Sequence, residues 1–269
     1  MPEGHTLFRL ARHLQLPFAG RPVHVTSPQG RFAAGAALLD GRVLDEVFSY
    51  GKHLFARFGG DHLHVHLGLY GTFLTGTGTP PVAKGALRMR WVADGPDGAG
   101  VWADLRGPTA CEVLPTPEVE RILGRLGPDP LRPRADGAVA HRRIAGSRTA
   151  VGALLMDQSV LAGVGNVYRA ELLFRHRVSP FRPGKAVGAD LWAAMWRDLV
   201  TLMRAGVRMG RIVTTRLEDR SRRSGAVTRE DAHYVYRRTG LPCRVCGTPV
   251  RTEVMAGRNL YWCPVCQAA

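Results

Sequence analysis

Four of the five cysteines lie within the last 27 residues, in two pairs whose spacing fits a metal site. Cys243 and Cys246 form one Cys-x2-Cys pair, and Cys263 and Cys266 form the second after sixteen intervening residues. Two such pairs supply four thiolates, which is the ligand set of a closed tetrahedral zinc site. A closed site leaves no position for a reacting water, so we predict one structural zinc that stabilises a short β-hairpin. Disulfides or unrelated buried thiols are the less favoured alternative, and Cys111 lies outside the cluster.

The first residues could also do chemistry. Met1 is followed by Pro2, and a small second residue normally permits removal of the initiator methionine, so we expect the mature chain to begin at Pro2. An α-amino group titrates near pH 8, and its neutral form is a nucleophile. Glu3 would place an acid/base group beside that amine. The alternative is structural: a helix start with proline at its first position and an acid in its first turn.

The basic residues are unusual in type and in distribution. Of 37 basic side chains 34 are arginines, so a reaction that needs a lysine amine has only Lys52, Lys84 and Lys185 to use. Residues 1–120 carry 11 basic and 11 acidic side chains, whereas residues 121–269 carry 26 basic and 11 acidic ones. The formal charge of +15 therefore belongs to the second part of the chain. Such an excess fits nucleic acid, an anionic membrane surface or a solvated face, and composition does not choose among them.

Two further features favour a phosphate ligand. Residues 161–166, Leu-Ala-Gly-Val-Gly-Asn, join two predicted helices, and glycines there can turn backbone N–H groups outward just before a helix begins. The alternative is that these glycines only end one helix before the next begins. Arg258 lies between the cysteine pairs, where a metal-stabilised hairpin could hold its guanidinium against a phosphate instead of leaving it solvated. Beside an arginine-rich surface, both features favour DNA or RNA.

The elements that must position these residues differ along the chain. Leu7, Leu10 and Leu14 recur at helical spacing, so a helix is predicted directly after Glu3. Alternating and β-branched runs broken by Asp-Gly and Gly-Gly turns then predict an antiparallel β-rich domain over residues 22–113. Prolines and glycines near residues 115–133 indicate a linker, at the same place as the change in charge.

Helical periodicity dominates the second part. Three helices are predicted: the first begins near Val151 and continues to Leu161, the second is capped by Asn166, and the third spans roughly residues 192–203. Residues 211–230 show no sustained period and are rich in Arg and Ser, which predicts a mobile loop. No apolar run is long enough to cross a membrane and no secretory signal opens the chain, so we expect a cytoplasmic protein.

The combination of these motifs is more specific than any one of them. Pro-Glu-Gly at the start, Gly51-Lys52-His53 on a β-turn, Gly-Val-Gly-Asn between helices and a terminal zinc hairpin with Arg258 resemble the Fpg/Nei family of DNA glycosylases, over nearly the whole chain. The opening PEGHT and the dipeptide Asp157-Gln158 before Gly-Val-Gly-Asn are similar to the endonuclease VIII branch in its actinobacterial form.

The resemblance implies an α+β multidomain fold. An N-terminal β-sandwich with an N-terminal helix is expected over residues 1–114, and a linker over 115–135. A helical DNA-binding domain with a helix–two-turns–helix motif would occupy residues 136–238, and a four-cysteine zinc-finger β-hairpin would occupy residues 239–269. A monomer with one structural zinc is expected.

The resemblance also implies a reaction. Pro2 would attack the sugar C1′ of a damaged nucleotide and form an iminium (Schiff-base) intermediate, Glu3 would protonate the sugar ring oxygen, and Lys52 would contact phosphate and assist. Strand cleavage would follow by β,δ-elimination. Asn166 and Arg258 match the family's remaining phosphate contacts.

A nucleotide inside the stack cannot react, so it must be flipped out, and an apolar wedge usually fills the gap. Leu69 and Tyr70, in a turn after a strand, are the candidates, with a place in the core of a strand end as their alternative. Arg106 is a further candidate DNA contact, although the arginine-phenylalanine pair of the 8-oxoguanine branch is absent because Gly107 and Pro108 follow it. This departure, and the lack of that branch's lysine near Val151, favour oxidised pyrimidines or abasic sites.

The expected partner is damaged double-stranded DNA at the bacterial nucleoid, with single-stranded or bubble DNA as an alternative and no membrane. An 8-oxoguanine-type glycosylase of the same family and a non-catalytic zinc-finger protein that binds damaged DNA are the rival functions. Finally, His62, His64 and His66 alternate along one strand face. They could form a metal trio, but hydrogen-bonded or solvent-facing imidazoles are the favoured interpretation.

Overall fold

The computed structural model of the chain describes residues 2–95 and 98–268, and these divide into two compact units between Arg125 and Leu126. Met1 and the middle of the predicted turn at residues 94–98 lie outside the described residues. No helix among the described residues is long and apolar enough to span a membrane.

The first unit is a β-sandwich with a helix at its start. One sheet has the strand order β2-β1-β7-β8-β6 and the other the order β3-β4-β5-β9, with antiparallel pairing throughout. The elements in chain order are α1 (Gly4–Phe18), β1 (Pro22–Thr26), α2 (Ala33–Leu39), β2 (Arg42–Val43), β3 (Glu46–Tyr50), β4 (His53–Phe58), β5 (Asp61–His66), β6 (Thr72–Thr77), β7 (Leu87–Asp94), β8 (Gly100–Arg106), β9 (Ala110–Pro115) and α3 (Thr116–Gly124).

Alternation of side chains explains how the sandwich closes. Strand β7 buries every second residue, and its Trp91 is fully buried with Phe18 of α1 packed edge-on at 5.5 Å between ring centroids. Leu7 and Leu14 of α1 belong to the same core, at the helical spacing that predicted this helix. The helix therefore forms part of the sandwich core.

A helix occupies much of the predicted linker. Residues 116–124 form α3, because Thr-Pro-Glu after Pro115 is a favourable helix start with proline in the first turn. Val119 of α3 packs against Phe55 and Leu114 of the neighbouring sheet. This part of the chain belongs to the first unit and is not an extended connection.

The second unit is helical and ends in a hairpin. Its elements are α4 (Gly137–Ala145), α5 (Val151–Leu154), α6 (Asn166–Arg175), α7 (Ala189–Met209), β10 (Arg251–Met255) and β11 (Arg258–Trp262). Helix α7 ends at Gly210, which adopts φ +68° and so closes the helix in the left-handed conformation. Two helices joined by two turns, then a hairpin, complete the α+β architecture expected from the sequence.

The predicted mobile loop at residues 211–230 is irregular but anchored. Asp231 accepts hydrogen bonds from the backbone N–H and the hydroxyl of Ser221, at 3.1 and 2.6 Å, and pairs with Arg244 at 3.0 Å. These contacts, led by the hydrogen bond from the Ser221 hydroxyl, lower the pKa of Asp231 to about 2, so the carboxylate keeps its charge at neutral pH. The arginine-rich segment is thus tied at its base to the zinc-finger region.

Candidate active site and metal centre

Helix α1 and strand β3 run antiparallel, and this sets where the chain begins. The N–H of Val47 donates to the Gln15 side chain at 2.6 Å, and the N–H of Gly20 donates to the Leu44 carbonyl at 2.7 Å. Back from Gln15, the eleven residues to Gly4 span about 16 Å of helix, and forward from Val47 three residues of strand reach Tyr50, about 10 Å away, where the β3–β4 turn begins. The start of α1 therefore lies toward the end of β3 that leads into this turn, which carries Lys52.

Pro2 and Glu3, the two candidates for chemistry, both precede the first residue of α1. The helix begins at Gly4 with Glu3 as its N-cap, so Pro2 precedes it and does not occupy the first helical position. Glu3 is fully buried, and its backbone N–H donates to the Thr6 hydroxyl at 3.4 Å. The structural alternative of proline as the first helical residue is therefore wrong. Glu3 is a buried acid held one residue from the Pro2 amine.

The β3–β4 connection is a two-residue turn. Tyr50 pairs with His53, and the central residues are Gly51 and Lys52. Gly51 has φ +56°, as the first central position of a type II′ hairpin requires. A side chain is strained at that position but not at the next, so the turn fixes Lys52 as the residue that projects from it.

Two imidazoles, buried His5 and half-buried His53, follow Glu3 and Lys52 closely in sequence. Burial lowers the pKa of His5 to about 4 and, together with the neighbouring His64, lowers that of His53 to about 3. Both rings are neutral at physiological pH. Neither therefore adds a permanent charge beside the two amines proposed for chemistry, Pro2 and Lys52.

The two wedge candidates are exposed. Leu69 is 37% and Tyr70 87% exposed, in a turn closed by a hydrogen bond from the Gly71 N–H to the Leu67 carbonyl at 2.9 Å. The alternative that both are core residues at a strand end is wrong. An exposed leucine-tyrosine pair on a tight turn is suited to enter a base stack.

Gly71 makes that turn possible. A Cβ atom at this position would lie 2.3 Å from the Leu67 carbonyl oxygen, a backbone atom that cannot move aside cheaply. We expect Gly71→Ala to lower the free energy of unfolding by more than about 1 kcal/mol, and with it the thermal midpoint. The variant should also bind lesion-containing DNA more weakly. Gly60→Ala is the matched control, since a Cβ there meets nothing within 4 Å, and an equal loss in both variants would contradict this account. Differential scanning fluorimetry and fluorescence anisotropy measure the two effects.

Arg106 lies beside the same turn but is engaged within the protein. It pairs across the sheet with Thr72, and its guanidinium donates to Asp104 at 3.3 Å and to the Lys84 carbonyl. Asp104 is fully buried and also takes two hydrogen bonds from Arg90, at 2.7 and 2.8 Å. Arg106 would have to exchange these partners to reach DNA.

In the second unit, side chains shape the link between α5 and α6. Helix α5 ends at Leu154, earlier than the predicted end at Leu161. Beyond it, the Gln158 side chain forms hydrogen bonds with backbone groups of the turns that lead to α6. Its amide donates to the Val164 carbonyl at 3.0 Å and accepts from the Gly163 N–H at 3.0 Å. Gly163 adopts φ +87°, so the turn needs its glycine.

Asn166 does not cap α6 as the sequence predicts. Gly165 is the N-cap, and Asn166 is the first helical residue. Its side-chain amide donates to the Asn259 carbonyl at 2.8 Å and its oxygen accepts from Arg169. The helix start and the zinc hairpin are thereby joined at Asn166.

Arg169 connects α6 to the zinc hairpin, a role that the sequence pattern did not predict. It is fully buried on α6 and donates to the Met255 carbonyl at 3.1 Å, next to the hairpin turn. Glu171, also fully buried, accepts from the backbone N–H groups of residues 234–236 at 2.7 to 2.9 Å. Two opposite charges in an otherwise apolar helical stretch were the available signal, since buried charges need such partners.

The four zinc-finger cysteines converge. All four Sγ atoms lie within 4.8 Å of one another, with Cys243 to Cys266 at 3.8 Å and Cys246 to Cys263 at 3.5 Å. Tetrahedral zinc with Zn–S bonds of about 2.3 Å requires sulfur atoms about 3.8 Å apart, so the cluster fits that ion. Among the described residues, the histidines at 62, 64 and 66 do not form such a group.

The hairpin above the cluster presents Arg258. The turn between β10 and β11 consists of Ala256 at φ +53° and Gly257 at φ +67°, both left-handed, as in a type I′ hairpin. Arg258 follows directly and is exposed, whereas Leu260 on the same strand is buried. Residues two apart share one face of a strand, so Arg258 lies on the same face as Leu260 and is exposed because it stands at the turn end of the hairpin.

Comparison with known proteins agrees with this arrangement. Three family models match: the formamidopyrimidine-DNA glycosylase N-terminal domain at residues 1–111, the H2TH domain of the same enzymes at residues 126–218, and the zinc finger found in Fpg and isoleucyl-tRNA synthetase (FPG and IleRS) at residues 240–269. The last match and the cysteine geometry identify a zinc finger with one structural zinc.

Relatives match over the full length. Endonuclease 8 1 of Mycobacterium tuberculosis is 53% identical across 99% of this chain and 100% of its own, and a DNA-(apurinic or apyrimidinic site) lyase of Mycolicibacterium smegmatis is 36% identical across 100% of both. The crystal structure of the Fpg protein from Thermus thermophilus superposes with a TM-score of 0.71 at 31% identity, over 99% of this chain and 98% of that one. The chain therefore belongs to the Fpg/Nei family of DNA glycosylases and abasic-site lyases.

Proposed function

We propose that this protein excises oxidised bases, oxidised pyrimidines in particular, from damaged duplex DNA and cleaves the strand at the resulting abasic site. The observation that supports the proposal most directly is that Glu3, next to Pro2, is fully buried at the start of α1, with Lys52 on the β3–β4 turn of the same unit. A monomer acting on chromosomal DNA at the bacterial nucleoid is the simplest form in which the chain performs this reaction.

Pro2 is the nucleophile in this proposal. After loss of Met1, its secondary amine adds to the sugar C1′, the bond from C1′ to the base breaks, and the base leaves with the bonding electrons and a proton. Glu3 donates a proton to the ring oxygen, so the sugar opens to an iminium ion in which nitrogen holds the positive charge. Loss of the C2′ proton then expels the 3′ phosphate, and δ-elimination expels the 5′ phosphate.

The remaining side chains position the DNA. Leu69 and Tyr70 fill the gap left by the flipped nucleotide, which offsets the few kcal/mol that unstacking costs. Lys52, Asn166 and Arg258 contact phosphates, and the arginine-rich second unit supplies the salt-dependent attraction to the backbone. Arg106 is a further DNA contact if binding releases it from Asp104.

Glu3→Gln tests the proposed proton donor. We expect excision of an oxidised pyrimidine to fall about 10² to 10⁴-fold, because the variant cannot protonate the ring oxygen. Cleavage of a preformed abasic site should fall less, since that substrate has already lost its base. Single-turnover nicking of duplexes that contain 5-hydroxycytosine, thymine glycol, 8-oxoguanine or an abasic site measures both steps and ranks the lesions.

Thr6→Ala is the control for helix capping, since it removes the hydroxyl that accepts from the Glu3 N–H and costs roughly 1 kcal/mol or less. Faster excision of 8-oxoguanine than of oxidised pyrimidines by the unmodified protein would assign it the other specificity. Binding without any nicking would assign it a non-catalytic role.

A further inference from the structure

Three histidines, His53, His64 and His66, form one cluster on the two inner strands of the β3-β4-β5-β9 sheet. His53 of β4 pairs with His66 of β5, and His64 lies between Phe55 of β4 and Glu112 of β9. The rings of His53 and His64 stack with centroids 5.1 Å apart, and those of Phe55 and His64 with centroids 5.0 Å apart. The cluster begins at the residue directly after Lys52.

Hydrogen bonds join the side chains of Glu112, His64 and His53 in a line. His64 Nδ1 lies 2.9 Å from a carboxylate oxygen of Glu112, and His64 Nε2 lies 2.9 Å from His53 Nδ1. A carboxylate only accepts, so His64 carries a proton on Nδ1. With a neutral His64, its Nε2 is an acceptor, His53 must donate from Nδ1, and His53 Nε2 is left as a bare acceptor.

Adding one proton reverses the direction of the hydrogen bond between His53 and His64. A proton taken up at His53 Nε2 allows the Nδ1 proton of His53 to pass to His64 Nε2, so His53 remains neutral and His64 becomes a cation. Burial lowers the pKa of His53 to about 3, so this ring does not keep the charge itself. The Glu112 carboxylate, 2.9 Å away, stabilises the charge on His64.

The middle of this line is buried and its Glu112 end is exposed, which suits proton transfer. The His64 side chain is 6% exposed, whereas that of Glu112 is 51% exposed and in contact with solvent. Lys52, and Arg125 after α3, are the cations that act on His53, and Lys52 also acts on His66, whose pKa is lowered by burial first. Glu112 is the one acidic group in the hydrogen-bonded line, so it balances these cations locally.

We propose that His53, His64 and Glu112 form a proton relay that serves the Lys52 turn, taking up a proton at His53 and storing it on His64 during strand cleavage. The relay rests on the proposed function for its role in the reaction, because β-elimination releases the C2′ proton near that turn. All three are positioning residues, because in this proposal they receive the proton at the Lys52 turn and do not touch the DNA. Before the proton arrives, His64 Nε2 accepts from His53 Nδ1.

Two substitutions separate proton transfer from simple positioning. Glu112→Gln keeps a hydrogen-bond acceptor but removes the charge that would stabilise the proton-loaded relay, so the acidic limb of the pH–rate profile should move to lower pH. His64→Gln can still donate to Glu112 and accept from His53 but cannot carry the proton. We expect it to lose that acidic limb and to lower kcat about tenfold with an unchanged KM.

The measurement is single-turnover cleavage of a preformed abasic duplex between pH 5 and 9, with His62→Gln as the matched control on the same strand. Wild-type kcat and pH profiles in both Glu112→Gln and His64→Gln would show that the cluster is only structural and overturn the relay. Thermal midpoints of all three variants identify any loss of fold.

A second readout does not depend on catalysis. In the free protein, the ring nitrogen-15 resonances should show His64 gaining a proton while the neutral His53 changes its tautomer from Nδ1–H to Nε2–H at the same pH. A His53 tautomer that stays constant while His64 titrates overturns the relay even if the enzyme is active. A coupled change in a protein that gives no nicking would retain the relay and refute the proposed function.

Discussion

Replacing Pro2 with leucine is expected to abolish the covalent adduct that borohydride traps with an abasic or oxidised-pyrimidine duplex. A large second residue retains Met1, so the amine moves one residue away from Glu3 and from the Lys52 turn. Without an iminium the C2′ proton is not acidified, so nicking should fall by at least about three orders of magnitude. Gel analysis of the reduced reaction measures the adduct, and anisotropy should show nearly unchanged DNA affinity.

Pro2→Gly is the matched variant, because a small residue still permits removal of Met1 and leaves a primary amine at the same position. We expect it to retain part of the trapping, and mass spectrometry of the intact proteins confirms which residue begins each chain. A wild-type amount of adduct from Pro2→Leu would show that the covalent bond does not need Pro2, and would assign it to one of the three lysines or to the amine of the retained Met1.

The second large effect is expected at the metal centre. Cys263→Ser removes a fully buried ligand, so we expect the protein to lose its one zinc and, with it, the position of the β10–β11 hairpin. Structural zinc contributes roughly 10 kcal/mol or more to the folding of such small modules, far above what the few apolar contacts of a hairpin supply. Affinity for abasic duplex should fall about tenfold or more, because Arg258 and Asn259 lose their support.

Cys111→Ala provides the control within the same residue type. Burial raises the pKa of the Cys111 thiol to about 12, and Cys111 packs against the core of the first unit and is not a member of the four-cysteine group. This variant should keep one zinc per chain by atomic emission and bind DNA normally. Full DNA affinity in a zinc-free Cys263→Ser protein would contradict the role given to the hairpin.

Local patterns predicted much of this molecule. The cysteine spacing was sufficient for the zinc site because ligand geometry depends on a few residues close in sequence. The alternation in strands and the periodicity of α1 predicted a sandwich with a helix for the same reason. Family resemblance then supplied the names and order of the domains, which periodicity alone does not give.

Features that depend on distant contacts were not accessible in this way. Asn166 looked like an N-cap, yet its amide bonds a carbonyl 93 residues later, at Asn259. The helix before it stops early because Gln158 satisfies the turn, which a periodic apolar pattern cannot reveal. The three histidines of the sheet were predicted to be hydrogen-bonded or solvent-facing and not a metal trio, and only the register with Glu112 and His53 shows which partners His64 has. In each case a tertiary partner decides what a polar side chain does.

The hydrogen bond between Gln15 and Val47 fixes α1 against strand β3, so the number of helical residues before Gln15 determines where the chain's first amine lies. One residue added between Gly4 and Gln15 would turn the start of the helix by about 100° and advance it about 1.5 Å. Adding a whole turn would restore the direction but displace the terminal amine by about 5.4 Å, beyond the reach of any bond-forming approach to the same sugar carbon. Under the proposed reaction, the length of this helix is therefore constrained by the chemistry at its end as well as by the packing of its apolar face.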